Sequence, residues 1–327
     1  MPTQAPSLTV PMLKNTLFLF AFIALTSLLI GLTLRARRLQ GAALKWAAIG
    51  VGGVFSLILL LISGLGAKGI VDLYKPRGTA VREMKIAATP ERLARGQHIA
   101  NAWCAGCHSL NGELPLSGGK NLSDEAHMPL GDLYTINLTP AGPLKDWTDG
   151  EIFRAVRQGA DKYGKRLPVM SAQRVRNLSD EDLMSVIAYL RSQPAVQHET
   201  PPPNPSFLLA VMAGAGALPL LPGFPPDTIV APAVGPTAAY GEYTVKWMGC
   251  DECHGATYEG GGGGVLPKGP TLRTVKGWSR EGFLTTMRTG KTPFGKQLDS
   301  NMMPYKMVGR LTDDELTAVY TYLTGLK

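Results

Sequence analysis

Every cysteine in the chain belongs to one of two tight pairs, Cys104 with Cys107 and Cys250 with Cys253. A histidine, His108 or His254, directly follows each pair. Cysteines that staple a small secreted fold are scattered so that they tie distant loops together. Here the spacing is C-x-x-C-H, the attachment pattern of a c-type haem. Two thiols add across the two vinyl groups of one porphyrin, and the adjacent imidazole then reaches the iron from one side. The pattern predicts two covalently bound haem c groups with His108 and His254 as iron ligands. Zinc binding and dithiol redox chemistry are the competing uses of such pairs. Zinc would require the two pairs, far apart in the chain, to meet.

The sequence between and after the pairs is duplicated. Trp147, Arg157, Gly159, Gly164 and Leu167 recur as Trp278, Arg288, Gly290, Gly295 and Leu298, with the same steps of 10, 2, 5 and 3 residues. The run Leu178-Ser-Asp-Glu-Asp-Leu183 leads to Tyr189-Leu190, and Leu311-Thr-Asp-Asp-Glu-Leu316 leads to Tyr322-Leu323 at the same offset. Both closing runs read as helices. Ser179 with Asp182, and Thr312 with Glu315, stand where an N-cap hydroxyl and an acidic third residue belong; the second is a full capping box and the first a shorter variant. Leu183, Val186, Ile187 and Leu190 then fall on one face, as do Leu316, Val319, Tyr320 and Leu323. Each unit therefore reads as helix, C-x-x-C-H, long loop, helix, axial loop and capped helix. A chain so short needs the porphyrin to complete its core.

A haem held by one histidine has an open side, and a methionine there raises the potential and keeps other ligands off. Met170 lies in the axial loop of the first repeat. The second offers Met302, Met303 and Met307. Met303 is preferred because it precedes Pro304 and stands as far before Leu311 as Met170 stands before Leu178; Met302 is the alternative. Arg157, Arg288, Trp147 and Trp278 are candidate donors to the haem propionates. The second N–H of a ligating imidazole wants an acceptor; the carbonyl of Pro270 is a candidate for His254, and the first repeat shows no clear equivalent. His98, His127 and His198 read as surface or packing residues.

Two uncharged apolar stretches open the chain, residues 17–34 and 46–67. At 1.5 Å of rise per residue each can cross a hydrocarbon core of about 30 Å. The loop between them holds Arg35, Arg37, Arg38 and Lys45, and short basic loops stay in the cytoplasm. The expected location is a bacterial cytoplasmic membrane crossed by two helices in contact with lipid, with everything after about residue 68 on the periplasmic side. This end also explains the net charge of +8. Lys14, the four residues just named, Lys68, Lys75 and Arg77 face Asp72 alone in residues 1–80, and the remainder is nearly neutral. The basicity is thus not a sign of nucleic-acid binding. The expected division is a hairpin anchor (1–75), a first haem domain (76–195), a proline-rich linker (196–237) and a second haem domain (238–327). Within the linker, 207–221 is apolar but short, which suits packing against the domains or the membrane surface. Gly260 to Gly264 and Gly290-Lys291-Thr292 imitate phosphate-binding loops, but Thr285 stands where a P-loop needs its first glycine.

The runs NLTP (137–140), Trp147-Thr-Asp and RAVRQG (154–159), the LSDEDL…AYLRSQP ending, CDECHG, MPY (303–305) and LTDDEL resemble the multihaem cytochrome subunits of membrane-bound alcohol and sugar-acid dehydrogenases. The resemblance covers about residues 90–325. It implies an all-α architecture, two class I cytochrome c domains in tandem after a two-helix transmembrane hairpin. His108 and His254 would be proximal ligands, Met170 and Met303 distal. Those subunits commonly carry three haems and Met-Pro at the distal position; here there are two haems, and Met170 precedes a serine. The hairpin favours a subunit of a larger respiratory or photosynthetic electron-transport complex. Its partners would be other membrane subunits and a soluble or membrane cytochrome c, an oxidase or a reaction centre. The alternatives are a dihaem enzyme with one open site, such as a peroxidase or sulfur-compound oxidase, and a tethered haem sensor.

Overall fold

The computed structural model describes residues 10–75, 80–218, 226, 228–262 and 267–326. Arg77, Pro219 with the neighbouring linker residues, and Gly263 and Gly264 of the glycine run lie outside the described residues. The main helices are α1 (Val10–Arg35), α2 (Ala42–Tyr74), α3 (Pro90–Ile99), α4 (Asp149–Gln158), α5 (Asp180–Ser192), α6 (Phe207–Gly214), α7 (Ala238–Trp247), α8 (Arg280–Thr289) and α9 (Asp313–Gly325). The chain packs as two compact units. One gathers Met1–Pro76, Asn121–Leu133 and Pro202–Leu218; the other gathers Arg77–Lys120, Tyr134–Pro201 and Pro219–Lys327.

In the first unit, α1 and α2 are long and apolar enough to cross a membrane. Leu17, Phe20, Leu57 and Leu61 are exposed, which lipid would accommodate. The hydroxyls of Thr26, Ser56 and Ser63 donate to carbonyls four residues back in their own helices, so these hydroxyls are not left unpaired in hydrocarbon. Part of the linker is folded onto this hairpin. Ser206 caps α6, and Phe207 stacks on Phe18 and Phe22. A Cβ at Gly69 would overlap the carbonyl of Ala210, so helix backbones touch there. The strands β1 (Gly131–Asp132) and β2 (Asn204–Pro205) pair antiparallel beside it. The buried Asn15 amide donates to the Tyr74 hydroxyl at 3.0 Å and to the Pro205 carbonyl at 3.1 Å.

The second unit holds both repeats, and each is organised by one helix crossing. In the first, α3 crosses α5 at Gly96, where any Cβ would overlap the carbonyl of Ser185. In the second, α7 crosses α9 at Gly241 against Ala318. The predicted apolar faces supply these contacts: Leu183, Val186, Ile187, Leu190, Leu316, Val319 and Leu323 are buried, each worth roughly 1.5–3 kcal/mol. Thr312 and Glu315 form the full capping box. Ser179 accepts from the Asp182 N–H, but Asp182 does not return the bond. Its carboxylate instead accepts from the Tyr243 hydroxyl at 2.6 Å, and that hydroxyl takes the Ser179 N–H at 2.9 Å.

Tyr243 belongs to the other repeat, so the two halves share a polar centre. Arg95 on α3 donates to Asp182 (2.7 and 2.9 Å), to Glu315 on α9 (2.7 Å) and to the Tyr240 hydroxyl on α7 (2.9 Å). His98 Nε2 lies 2.6 Å from the other oxygen of Glu315, which is 1 % exposed as a residue. Burial alone would raise the Glu315 carboxyl. Pairing with His98 and Arg95 and the bond from the Thr312 N–H overcome it and pull the group down to about 2. Burial also pushes Tyr240 up to about 12.

These contacts have measurable consequences. Gly241→Ala forces a methyl into the Ala318 carbonyl and should cost on the order of 2–4 kcal/mol, read as a lower unfolding midpoint. Because Glu315 is depressed on folding, its contribution is complete above the ordinary carboxylate value of 4.5 and is lost as pH falls towards about 2. Comparing wild type with Glu315→Gln in denaturant melts at about pH 6 and about pH 3 should show a smaller acid loss in the variant, by on the order of 2 kcal/mol.

Candidate haem sites

Both attachment motifs lie on helix, reached by different routes. In the first repeat α3 runs on through a π-helical turn, Ala100–Cys104, into a short helix Ala105–His108. In the second, α7 ends and Gly249, at φ 71°, starts a new helix, Cys250–His254. Burial pushes the thiols of Cys104 and Cys250 up to about 12, so they are neutral rather than thiolate. Among the described residues no group of three or more His, Cys, Asp or Glu side chains could hold a metal ion. The pairs do not meet, and the zinc alternative has no ligand set.

The histidines are held in one tautomer. His108 Nδ1 lies 3.0 Å from the Ile136 carbonyl and His254 Nδ1 lies 2.7 Å from the Pro270 carbonyl. A carbonyl can only accept, so Nδ1 carries the proton and the Nε2 lone pair is free for iron. Burial also holds His108 below the ordinary histidine value, against the smaller pull of the Ile136 bond; the neutral ring is the one that ligates. Small residues admit these carbonyls. A Cβ at Gly269 would stand 2.6 Å from His254 Nδ1, and Gly118, at φ +70°, would strike Ile136. Pro270 is where the sequence placed it. Ile136 is an acceptor the sequence could not reveal, because any residue supplies a carbonyl. The paired thiols and the imidazoles anchored through Nδ1 fit a covalently bound haem c in each half.

The repeated glycines shape the axial loops. Gly159 (φ 64°) and Gly290 (φ 75°) end α4 and α8 in the left-handed conformation. Gly164 (φ 80°) and Gly295 (φ 82°) turn the chain back, and the Leu167 and Leu298 N–H groups close each loop onto Gly159 and Gly290 at 2.7 and 2.8 Å. Gly290-Lys291-Thr292 is thus a helix end and not a phosphate loop. Met170 rides on the short helix Pro168–Ala172. It and Met303 are half-buried against the same apolar core as Cys104, Cys250, Trp147 and Trp278. Met302 is 55 % exposed. Met307 lies elsewhere: a Cβ at Gly106 would meet its sulfur at 2.9 Å.

The arginines are also tied into the chain. Arg157 Nη1 donates to the carbonyls of Arg176 (2.5 Å) and Leu178 (2.6 Å), and Nη2 to Asp180 (2.7 Å). Arg288 repeats this with the Gly309 carbonyl and, at 2.7 Å, Asp313. Each guanidinium ties the end of the axial loop to the start of the closing helix. These Nη donors are committed to the chain, and in Arg157 the buried Nε is the donor without a protein acceptor that a propionate could take. Trp147 and Trp278 sit at the foot of α4 and α8, their carbonyls accepting from Arg191 and from Tyr320 (2.8 Å). His198 packs on Gly119 and bonds the Ser117 carbonyl at 2.9 Å. His127 is exposed in a turn at φ 50°.

Known proteins resemble this chain in sequence. The model of the family "cytochrome c oxidase, cbb3-type, subunit III" matches residues 91–190, and that of the family "cytochrome c" matches residues 238–327. The chain is 29 % identical over 266 residues to a nicotinate dehydrogenase subunit of Pseudomonas putida, covering 77 % of this chain and 21 % of that protein. It is 28 % identical over 271 residues to the gluconate 2-dehydrogenase cytochrome c subunit of Pantoea cypripedii (71 % and 59 %), and 24 % over 307 residues to the fructose dehydrogenase cytochrome subunit of Gluconobacter japonicus (80 % and 59 %). The aligned stretch is thus about a fifth of the first relative's length and about three-fifths of the other two. The chain is a dihaem cytochrome c: one haem is bound covalently in each of two tandem cytochrome c domains that follow two apolar helices. The change Cys250→Ala with Cys253→Ala should halve the covalent haem per chain, measured by haemochrome absorbance against protein mass, and leave the first site loaded.

Proposed function

We propose that this cytochrome is the membrane-anchored electron-transfer subunit of an oxidoreductase complex. It passes electrons from a dehydrogenase or quinol-oxidising partner to a cytochrome c, an oxidase or a reaction centre. The reading rests above all on the duplicated site: in each half an imidazole anchored through Nδ1 to a backbone carbonyl and, on a glycine-shaped loop, a methionine half-buried against the same core. His108 with Met170, and His254 with Met303, would then fill both axial positions of each iron, leaving it to change valence without binding substrate. The exposure of Met302 supports Met303 over its neighbour.

The names of two relatives describe cytochrome subunits of sugar or sugar-acid dehydrogenases, which supports a dehydrogenase as the electron source. The anchor supports a fixed place in the membrane, and the basic turn at Arg35, Arg37, Arg38 and Lys45 supports a periplasmic position for the haem domains. Purification in mild detergent should bring down at least one further redox subunit; a chain that emerges alone would contradict the complex. Met170→Ala and Met303→Ala should each open one haem to carbon monoxide and lower its potential, while Met302→Ala should leave both spectra unchanged. Rapid carbon monoxide binding by the reduced wild type would point instead to a dihaem enzyme.

A further inference from the structure

The polar centre lies on a pseudo-twofold arrangement that extends to the attachment motifs. Asp182 and Glu315 are equivalent residues on the two closing helices. Each is held by equivalent residues of the opposite repeat, Tyr243 at 2.6 Å and His98 at 2.6 Å. Further out, each axial loop reaches across to the other repeat's attachment helix. Arg174 pairs with Asp251, between Cys250 and Cys253, at 2.8–3.2 Å. Its counterpart Met307 sits on Gly106, between Cys104 and Cys107. Asn177 donates to the Lys246 carbonyl at 3.2 Å, and its counterpart Arg310 donates to the carbonyls of Asn101 (2.7 Å) and Gly112 (2.6 Å). The two segments that covalently hold a haem are therefore each covered by the methionine loop of the other half.

We propose that this centre, Arg95, His98, Asp182, Tyr243 and Glu315 with Arg174 at its edge, is a positioning device. It docks the two halves in one register so that their haems exchange electrons within the chain. The exchange is one electron: an iron(II) in one half becomes iron(III) as the iron(III) in the other becomes iron(II), with no proton or ligand transferred. The inference rests on the electron-transfer reading above. Ion pairs suit this task. Desolvation offsets part of their attraction, and a misaligned dock would leave buried charge unpaired and is excluded. The two sides also differ, histidine against tyrosine and glutamate against aspartate, so each fits only its own counterpart.

The test uses the full-length holoprotein in detergent, with circular dichroism in the Soret region and flash-initiated electron exchange between the haems. Wild type should show an exciton couplet and an exchange rate independent of protein concentration. Glu315→Gln, which can still serve in the capping box, should collapse the couplet and slow the exchange by about tenfold or more, with each haem's absorption spectrum and midpoint potential unchanged. Should Glu315→Gln fail to fold, Arg174→Gln breaks only the edge contact and should weaken the couplet in the same direction. A couplet and exchange rate that survive both substitutions while only the melting temperature falls would overturn the proposal, as would a wild type with no couplet. Loss of co-purifying subunits or an open axial site would overturn the functional reading and leave these signals intact, so the two failures are distinguishable.

Discussion

An imidazole can give iron only the nitrogen that carries no proton, and in both halves of this protein a backbone carbonyl decides which nitrogen that is. Ile136 and Pro270 hold the proton on Nδ1, and much of each repeat can be read as the support for that contact. Gly118 and Gly269 bring the loops close enough for the carbonyl to reach the ring. The crossings at Gly96 and Gly241 set α3 and α7, which lead into the attachment helices, against the closing helices, which carry the apolar faces. The arginine struts then hold the axial loops to those same closing helices. The imidazole and the methionine loop are thus held by one frame, which supports the proposal that both serve a single iron.

Duplication reproduced this frame with different local solutions. The first repeat reaches its cysteines through a π-turn and the second through a left-handed glycine. The second closes its capping box within one chain segment, while the first borrows the Tyr243 hydroxyl from its neighbour. That borrowing marks where the halves became interdependent: a shorter acid at Asp182 cannot cap its own helix and also meet Arg95.

What could be read from the sequence follows from what a side-chain pattern can encode. The attachment motifs, the two apolar helices, the capped helices and the shared glycine steps are local, and the steps are enforced by φ values few other residues accept. The Gly269-Pro270 pair made the Pro270 carbonyl a candidate, and it lies 2.7 Å from His254 Nδ1. The Ile136 acceptor left no trace, since a carbonyl has no residue code. The bonds of Arg157 and Arg288 to backbone carbonyls were not legible, because a conformation-specific bond to a carbonyl looks the same in sequence as a bond to a propionate. The polar centre was hidden for a third reason. His98, Asp182 and Glu315 each had a local explanation, and only the packing of one repeat on the other brings them together. The apolar linker segment was expected to pack against something; that its surface is α2 depends on glycines in two distant helices.

The proposed relay has each iron closed by one nitrogen and one sulfur. Near-infrared magnetic circular dichroism of the oxidised, detergent-solubilised protein reads that pair directly for low-spin ferric haem. The expected spectrum is one histidine–methionine charge-transfer band of intensity equal to the whole haem content. A bis-histidine band, or a high-spin signal accounting for half the haem, would contradict it.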